Sequence, residues 1–364
     1  MNEDKAAKYQ RLKRRVSIAS MVWSAVLLIG LVASSQHLRL RDLAVRITPW
    51  APIVGAVVLL SILHEAVSLP LNFYGGFVLE RRYGLSTETF GVWAADQLKG
   101  FAIGLVLGIG AASVVYGLMR VSPDRWWIAA GLVFAAVIVG MTNLAPVVLL
   151  PMFYSVKPLE REQLRARLVA LAGRAGARVL GAYELGLGEK TRKANAALAG
   201  LGTTRRILVS DTMLADYSDD EIEVVLAHEL GHHVHNDIWK GIALESALIV
   251  AGFYLANVVL RSVATVAGLR GVDDAAGLPV LLLAAGCVSV AMMPFAHALS
   301  RAFERRADLF ALNLTHNPAA FISAMRRLGA QNLAEENPSH LVQWLFYSHP
   351  PLRERISAAQ AFKP

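Results

Sequence analysis

Ser218-Asp219-Asp220-Glu221-Ile222-Glu223-Val224-Val225-Leu226-Ala227-His228-Glu229-Leu230-Gly231-His232 decides how this chain is read. Ser218 followed three residues later by Glu221 has the form of a capping box, in which each side chain serves a backbone N–H that the first helical turn leaves open. The clustered acids also suit the positive end of a helix. Val224, Val225 and Leu226 carry the helix on to the pattern HExxH. Residues four apart share one face of a helix, so His228 and His232 can turn ring nitrogens towards a single zinc ion. Glu229 stands beside them, placed to take a proton from water that such an ion acidifies towards neutral pH. His233 and His235 fall on other faces and read as solvated or structural. Asp237 reads as a cap or an orienting group.

Two imidazoles leave zinc short of a third protein ligand, the fourth position being kept for water. Downstream, Ser300-Arg301-Ala302-Phe303-Glu304-Arg305-Arg306-Ala307-Asp308 again places two acids four apart. Glu304 can bind the metal while Asp308 accepts the far N–H of a ligand histidine. On spacing alone, an exposed helix with these acids paired to Arg301 and Arg305 is the competing reading. The single cysteine, Cys287, excludes a disulfide framework and, lying in an apolar run, reads as a small buried hydrophobe.

Outward from this core the chain is unusually apolar. Of its 364 residues 55% are hydrophobic, against about 45–50% in soluble domains. The excess is gathered in six runs, at about 16–35, 50–70, 100–120, 126–150, 240–260 and 278–299, each close to the roughly 20 residues that cross a bilayer. The first run is too long for the core of a signal peptide and reads as a retained span. The net charge of +8 comes from scattered basic residues, with Arg exceeding Lys by 27 to 9. No aromatic-basic module stands out, so basic loops flanking membrane spans explain the charge and nucleic acid is not an expected partner. Lys5, Lys8, Arg11, Lys13, Arg14 and Arg15 precede the first span, which places the amino terminus and the polar segment 151–239 on the cytoplasmic side. His64, Glu65 and Glu245 fall within or at the edges of spans, where ionisable groups usually face protein or water.

The expected architecture is therefore a mainly α membrane protein. Residues 1–155 form an amino-terminal membrane domain of about four spans. Residues 156–364 form a zincin-type α+β catalytic domain with a small edge-stranded sheet, interrupted by two spans at about 240–260 and 278–299. Arg206-Ile207-Leu208-Val209-Ser210 has the apolar, β-branched character of one of its strands.

Three motifs together, HELGH at 228–232, SRAFERRAD at 300–308 and FYSHPPLRERI at 346–356, resemble those of the type I CAAX prenyl endopeptidases, which are integral-membrane gluzincins. LPLNFYGGFVLERRYGLSTETFGVWAADQLKG at 69–100 is similar to that family's membrane-domain signature, so the resemblance covers nearly the whole chain. It implies one zinc ion per chain held by His228, His232 and Glu304, with Glu229 as catalytic base and Asp308 behind a ligand histidine. It implies that His349 lies over the metal and stabilises the oxyanion, and that Arg355 pairs with a carboxylate near the site. Lys193-Ala194-Asn195-Ala196-Ala197 through Gly200-Leu201-Gly202 also matches. In the family this region leads an edge strand over the active site, which assigns Asn195 and Ala196 to substrate binding. An extended peptide adds to such an edge by backbone hydrogen bonds.

Two departures stand out. Eukaryotic members have seven spans where six are read here, a helix between the first and second being absent, which would leave the family's intramembrane chamber smaller or more open. The family's aromatic residue after Asn-Ala is Ala197 here. The expected function is zinc-dependent hydrolysis of a peptide or membrane-protein substrate, with a prenylated CAAX carboxy terminus as the substrate class that the resemblance implies. The expected location is a bacterial inner membrane (the endoplasmic reticulum membrane in a eukaryote) with the site towards the cytoplasm. An HtpX-type quality-control protease is the alternative enzyme. An idle scaffold would not need Glu229 and all the ligands, and a transporter would not need HExxH with a distant ExxxD.

Overall fold

The computed structural model describes residues 3–200 and 202–363; Leu201 of the Gly200–Gly202 match lies outside them. Among the described residues, six helices are long and apolar enough to cross a membrane. Four belong to the amino-terminal half: α1 (Glu3–Ala33), α3 (Pro52–Arg82), α4 (Phe90–Val121) and α5 (Trp126–Phe153). Between the first two lies α2 (Gln36–Ile47), 12 residues long. At 1.5 Å per residue it spans about 18 Å, too little for a hydrocarbon core of about 30 Å. It is tied instead to the loop before the sixth span, where buried Arg41 meets Asp274 at 3.0 Å. Pro70 precedes a π-helical turn at Tyr74–Val78 in α3, and Pro146 sits inside another at Ala145–Leu149 in α5. Proline removes a ladder hydrogen bond, and the widened turn absorbs the mismatch.

After the fourth span come β1 (Val156–Pro158), α6 (Glu162–Arg174), β2 (Ala182–Leu185), β3 (Ala196–Ala199) and β4 (Arg206–Ser210). The sheet order is β1-β2-β4-β3, with β2 and β4 parallel and both outer pairs antiparallel. β3 is thus an edge strand. The helix α7 (Asp211–Asp216) leads to α8 (Asp219–Val234), which carries HExxH. The last two spans are α9 (Asp237–Val263) and α10 (Leu278–Thr315). α10 is one continuous helix of 38 residues, so the sixth span and the Glu304 segment are a single rod. The chain ends in α11 (Pro318–Gln331), α12 (His340–Phe346) and α13 (Leu352–Ala361).

Leu164, Leu168 and Leu171 form the buried stripe of α6 and join Ile207, Val209, Leu226, Leu230, Phe321 and Met325 in the catalytic core. The membrane helices instead leave Val106, Leu132 and Phe295 exposed on their outer faces, as lipid contact requires. Cys287, expected to be buried, is exposed too, because its apolar run is a membrane helix and not a soluble core. Inside them lies a chamber of about 1340 Å³, walled by α1, α3, α4, α9 and α10 among others. His64, Glu65 and Glu245 line it, and Asp237, Ser300 and Phe303 mark its catalytic end.

Candidate metal centre

The capping box at the start of α8 is complete. Ser218 N–H donates to Glu221 Oε2 at 2.8 Å, and Glu221 N–H donates to Ser218 Oγ at 3.3 Å. The other Glu221 oxygen accepts from Ser323 Oγ at 2.5 Å and Arg327 Nε at 2.9 Å, fixing the helix start to α11. Farther along, α8 packs directly on α10. A Cβ added at Gly231 would lie 2.9 Å from Ala307 Cα. The glycine within HELGH therefore allows the backbone approach that brings Glu304 to the histidines.

The donors converge. His228 Nε2 lies 3.3 Å from His232 Nε2. The two oxygens of Glu304 lie 3.3 Å from His228 Nε2 and 3.4 Å from His232 Nε2. Donors placed tetrahedrally at about 2.0–2.1 Å from an ion stand about 3.3–3.4 Å apart, so this set is spaced to share one small cation. Glu304 Oε2 is buried with no hydrogen-bond partner, a costly state for a carboxylate oxygen unless a cation meets it. Burial works against a charged His228 ring, yet the facing carboxylates of Asp308 and Glu304 outweigh burial and push its pKa up to about 9. The pocket is built for positive charge.

Behind each histidine stands a carboxylate held by an arginine. His228 Nδ1–H donates to Asp308 Oδ1 at 2.8 Å. Arg355 grips that same carboxylate through Nε at 2.8 Å and Nη2 at 2.5 Å, the forked geometry that suits guanidinium. His232 Nδ1–H donates to Asp237 Oδ2 at 3.1 Å, and Arg306 Nη2 holds Asp237 Oδ1 at 2.7 Å. Such partners fix the tautomer and leave Nε2 bare towards an ion. Asp237 reaches His232 because Asn236 takes a left-handed φ of 56°, which turns the chain back immediately after α8.

Arg301 and Arg305 are not the partners of Glu304 and Asp308. Arg301 donates to backbone carbonyls of Gln343 and Tyr347, and Arg305 pairs with Glu354. His233 lies beside Arg205, and His235 Nδ1–H donates to the Gly231 carbonyl at 2.7 Å. Glu229 makes no side-chain hydrogen bond among the described residues, and burial, with Glu304 nearby, raises its pKa. His349 is half-exposed, with Nδ1 3.1 Å from Glu304 Oε1.

β3 runs beside α8. Asn195 exchanges bonds with Ser210: its N–H donates to Ser210 Oγ at 3.0 Å, and its carbonyl accepts Ser210 N–H at 2.9 Å. Antiparallel ladders alternate, so with Ala197 opposite Leu208 and Ala199 opposite Arg206, Ala196 and Leu198 turn their backbone groups to the open edge. The Asn195 side chain is exposed, whereas the Ala196 side chain is buried, so Ala196 can offer only backbone. Asn332 ends the open edge: its side-chain amide makes two 3.1 Å bonds to Ala194, as a neighbouring strand would. Sequence reasoning missed Asn332, the Gly231 approach and the strength of the Asp237 contact. Only Asp237, directly after the HExxH helix, left a readable signal.

Residues 158–363 match the model of peptidase family M48. The chain belongs to that family. Residues 2–155 match the CAAX prenyl protease N-terminal model, described as five membrane helices; here that stretch holds α1–α5, of which α2 is too short to cross. The chain is 32% identical over 311 residues to the uncharacterized metalloprotease YhfN of Bacillus subtilis, covering 84% of this chain and 73% of the relative. It is 29% identical to CAAX prenyl protease 1 of Saccharomyces cerevisiae, covering 82% and 70%. The crystal structure of S. mikatae Ste24p superposes with a TM-score of 0.87 at 25% identity, covering 98% of this chain and 88% of that one. The chain is accordingly a CAAX-prenyl-protease-like M48 metalloprotease with a multi-span membrane domain, and the family implies a metal ion. The HtpX-type alternative is not favoured, since the match runs through the amino-terminal membrane domain.

Proposed function

We propose that this M48 member is a zinc endopeptidase in which His228, His232 and Glu304 hold one ion, and that it cleaves peptides of the prenylated CAAX class. The observation that carries the metal reading is the convergence of these donors with a buried, partnerless Glu304 oxygen. The chemistry zinc supplies when bound is water acidified towards neutrality and a polarised scissile carbonyl. Glu229 takes the proton of the attacking water and delivers it to the departing amine, a task helped by the raised proton affinity of its carboxylate. His349 donates a hydrogen bond to the oxygen on which negative charge develops. Asp308, steadied by Arg355, and Asp237, steadied by Arg306, hold the two histidines in place. The open backbone of Ala196 and Leu198 receives the substrate as an added strand, and Asn195 holds its main chain.

Contacts of α1 support a cytoplasmic site. Tyr9 on its basic start bonds Glu80 at 2.6 Å, Gln10 bonds the Leu333 carbonyl at 2.7 Å, and Lys193 reaches the same Glu80 at 2.8 Å. The basic tail and the catalytic domain therefore share one face, which the positive-inside rule assigns to the cytoplasm.

The test is zinc content of detergent-purified protein together with cleavage of a farnesylated CAAX peptide, with Glu229→Gln as control. One zinc per chain with Glu229-dependent cleavage is expected. One zinc without cleavage would reject the prenylated substrate class and leave the metal centre standing. A chain that takes up no zinc would reject the centre itself.

A further inference from the structure

His349 lies in the irregular stretch 347–351 between α12 and α13. No ladder of backbone hydrogen bonds orients it, so its placement depends on side-chain anchors. Two come from α10. His297 Nδ1–H donates to the Leu345 carbonyl at 2.9 Å, and buried Arg301 donates to the Tyr347 carbonyl at 2.6 Å. With Glu304 and Asp308 these residues fall on one face of α10 at spacings of four, three and four. The helix that supplies the third donor thus also holds the underside of the His349 segment.

The other anchor comes from the membrane domain. Tyr347, two residues before His349, donates its phenol proton to Glu335 Oε2 at 2.7 Å and accepts from Arg14 Nη1 at 2.8 Å. Arg14 also pairs with Glu335 at 2.6 Å, and its guanidinium lies 5.9 Å from the Tyr347 ring centre. The side chains of Arg14 and Glu335 are only 17% and 15% exposed, so the pair is little screened by water. Arg14 belongs to α1, the first membrane helix. That helix does not depend on Arg14 for its seat, because Tyr9–Glu80, Lys13–Glu80 and Gln10–Leu333 hold it independently.

We propose that Arg14 is a positioning residue that acts through Tyr347 and Glu335 to set His349 over the metal centre. This rests on the reading of His349 as the oxyanion donor. Charge-assisted hydrogen bonds are short and directional, and a misplacement of about 1 Å in a catalytic group costs on the order of 10²-fold in rate. The membrane domain then contributes directly to catalytic geometry, beyond anchoring.

The test uses the full-length, zinc-loaded protein in detergent, with two readouts. The first is hydrogen–deuterium exchange of the peptide covering 345–352. Arg14→Ala and Tyr347→Phe should each speed its exchange several-fold while the peptide covering α8 is unchanged, and Arg14→Lys, which keeps a charged donor, should restore part of the protection. Unchanged exchange at 345–352 in Arg14→Ala would overturn the proposal without reference to any substrate. The second is a double-mutant cycle on peptide cleavage. Arg14→Ala should lower kcat about 10-fold with KM and zinc content unaltered, and should cost nothing further in a His349→Ala background. A loss repeated in full in that background would overturn the proposal while leaving His349 its role. His349→Ala with unaltered kcat would remove the role itself, and the link to Arg14 with it.

Discussion

At the metal centre Glu304, Asp308 and Asp237 each face a specific base; along the chamber wall two acids face none among the described residues. Glu304 lies between two histidines, Asp308 between His228 and Arg355, and Asp237 between His232 and Arg306. In the chamber, Glu65 and Glu245 make no hydrogen bond or ion pair among the described residues, and His64 has Ser24 Oγ at 2.9 Å. The two regions handle charge differently. Pairing fixes positions within a largely buried cluster, as chemistry on one bond requires. Carboxylates without partners are tolerated at bilayer depth only where they border a cavity or water, and they fix no geometry.

That contrast can be broken in order of decreasing effect. Glu229→Gln should lower kcat by about 10²–10⁴-fold while metal content, measured by mass spectrometry, stays unchanged; loss of metal would make Glu229 part of the binding set. Asp308→Asn should weaken metal affinity about 10–100-fold in a competing-chelator titration. Asp237→Asn should cost less, because Arg306 is partly exposed whereas Arg355 is largely buried; equal losses would remove the asymmetry between the two histidines. Gly231→Ala should destabilise by about 1–3 kcal/mol through overpacking on Ala307, read as a lowered midpoint in thermal unfolding. Gly104→Ala in the chamber wall, with nothing within 4 Å of the added carbon, should show no such loss. Glu65→Gln and Glu245→Gln should change stability by less than about 0.5 kcal/mol; a larger change in either would reveal a partner and end the contrast.

The sequence disclosed the spans because each apolar run exceeds what a soluble core needs, yet it misjudged their ends. The run placed at 100–120 belongs to a helix that starts at Phe90, capped by Thr89, because Asp96, Gln97 and Lys99 lower the hydropathy without breaking the helix. In the same way the run at 278–299 and the motif at 300–308 are one helix, since no glycine or proline lies between Pro294 and the end of α10. HExxH, its cap and the ExxxD spacing were legible because they are local. The groups that complete the centre are not local. Asp308 meets Arg355 across 47 residues and Arg14 meets Tyr347 across 333, and no periodicity records such pairings. His349 and Arg355 entered through family resemblance, and the geometry now shows a 3.1 Å contact with Glu304 and a fork on Asp308. Asn332 carried no signal, because one amide imitating a strand has no pattern in sequence.

The donors of the metal centre are separated in the chain by two complete membrane crossings, α9 and α10. A ribosome adding about 5–20 residues per second needs about 4–14 s to pass from His232 to Glu304. Through that interval the nascent chain displays HExxH without its third donor, and His349 is later still. A newly inserted molecule therefore cannot bring the three donors together until α10, its last membrane helix, has been made: the order of synthesis dates the assembly of the centre.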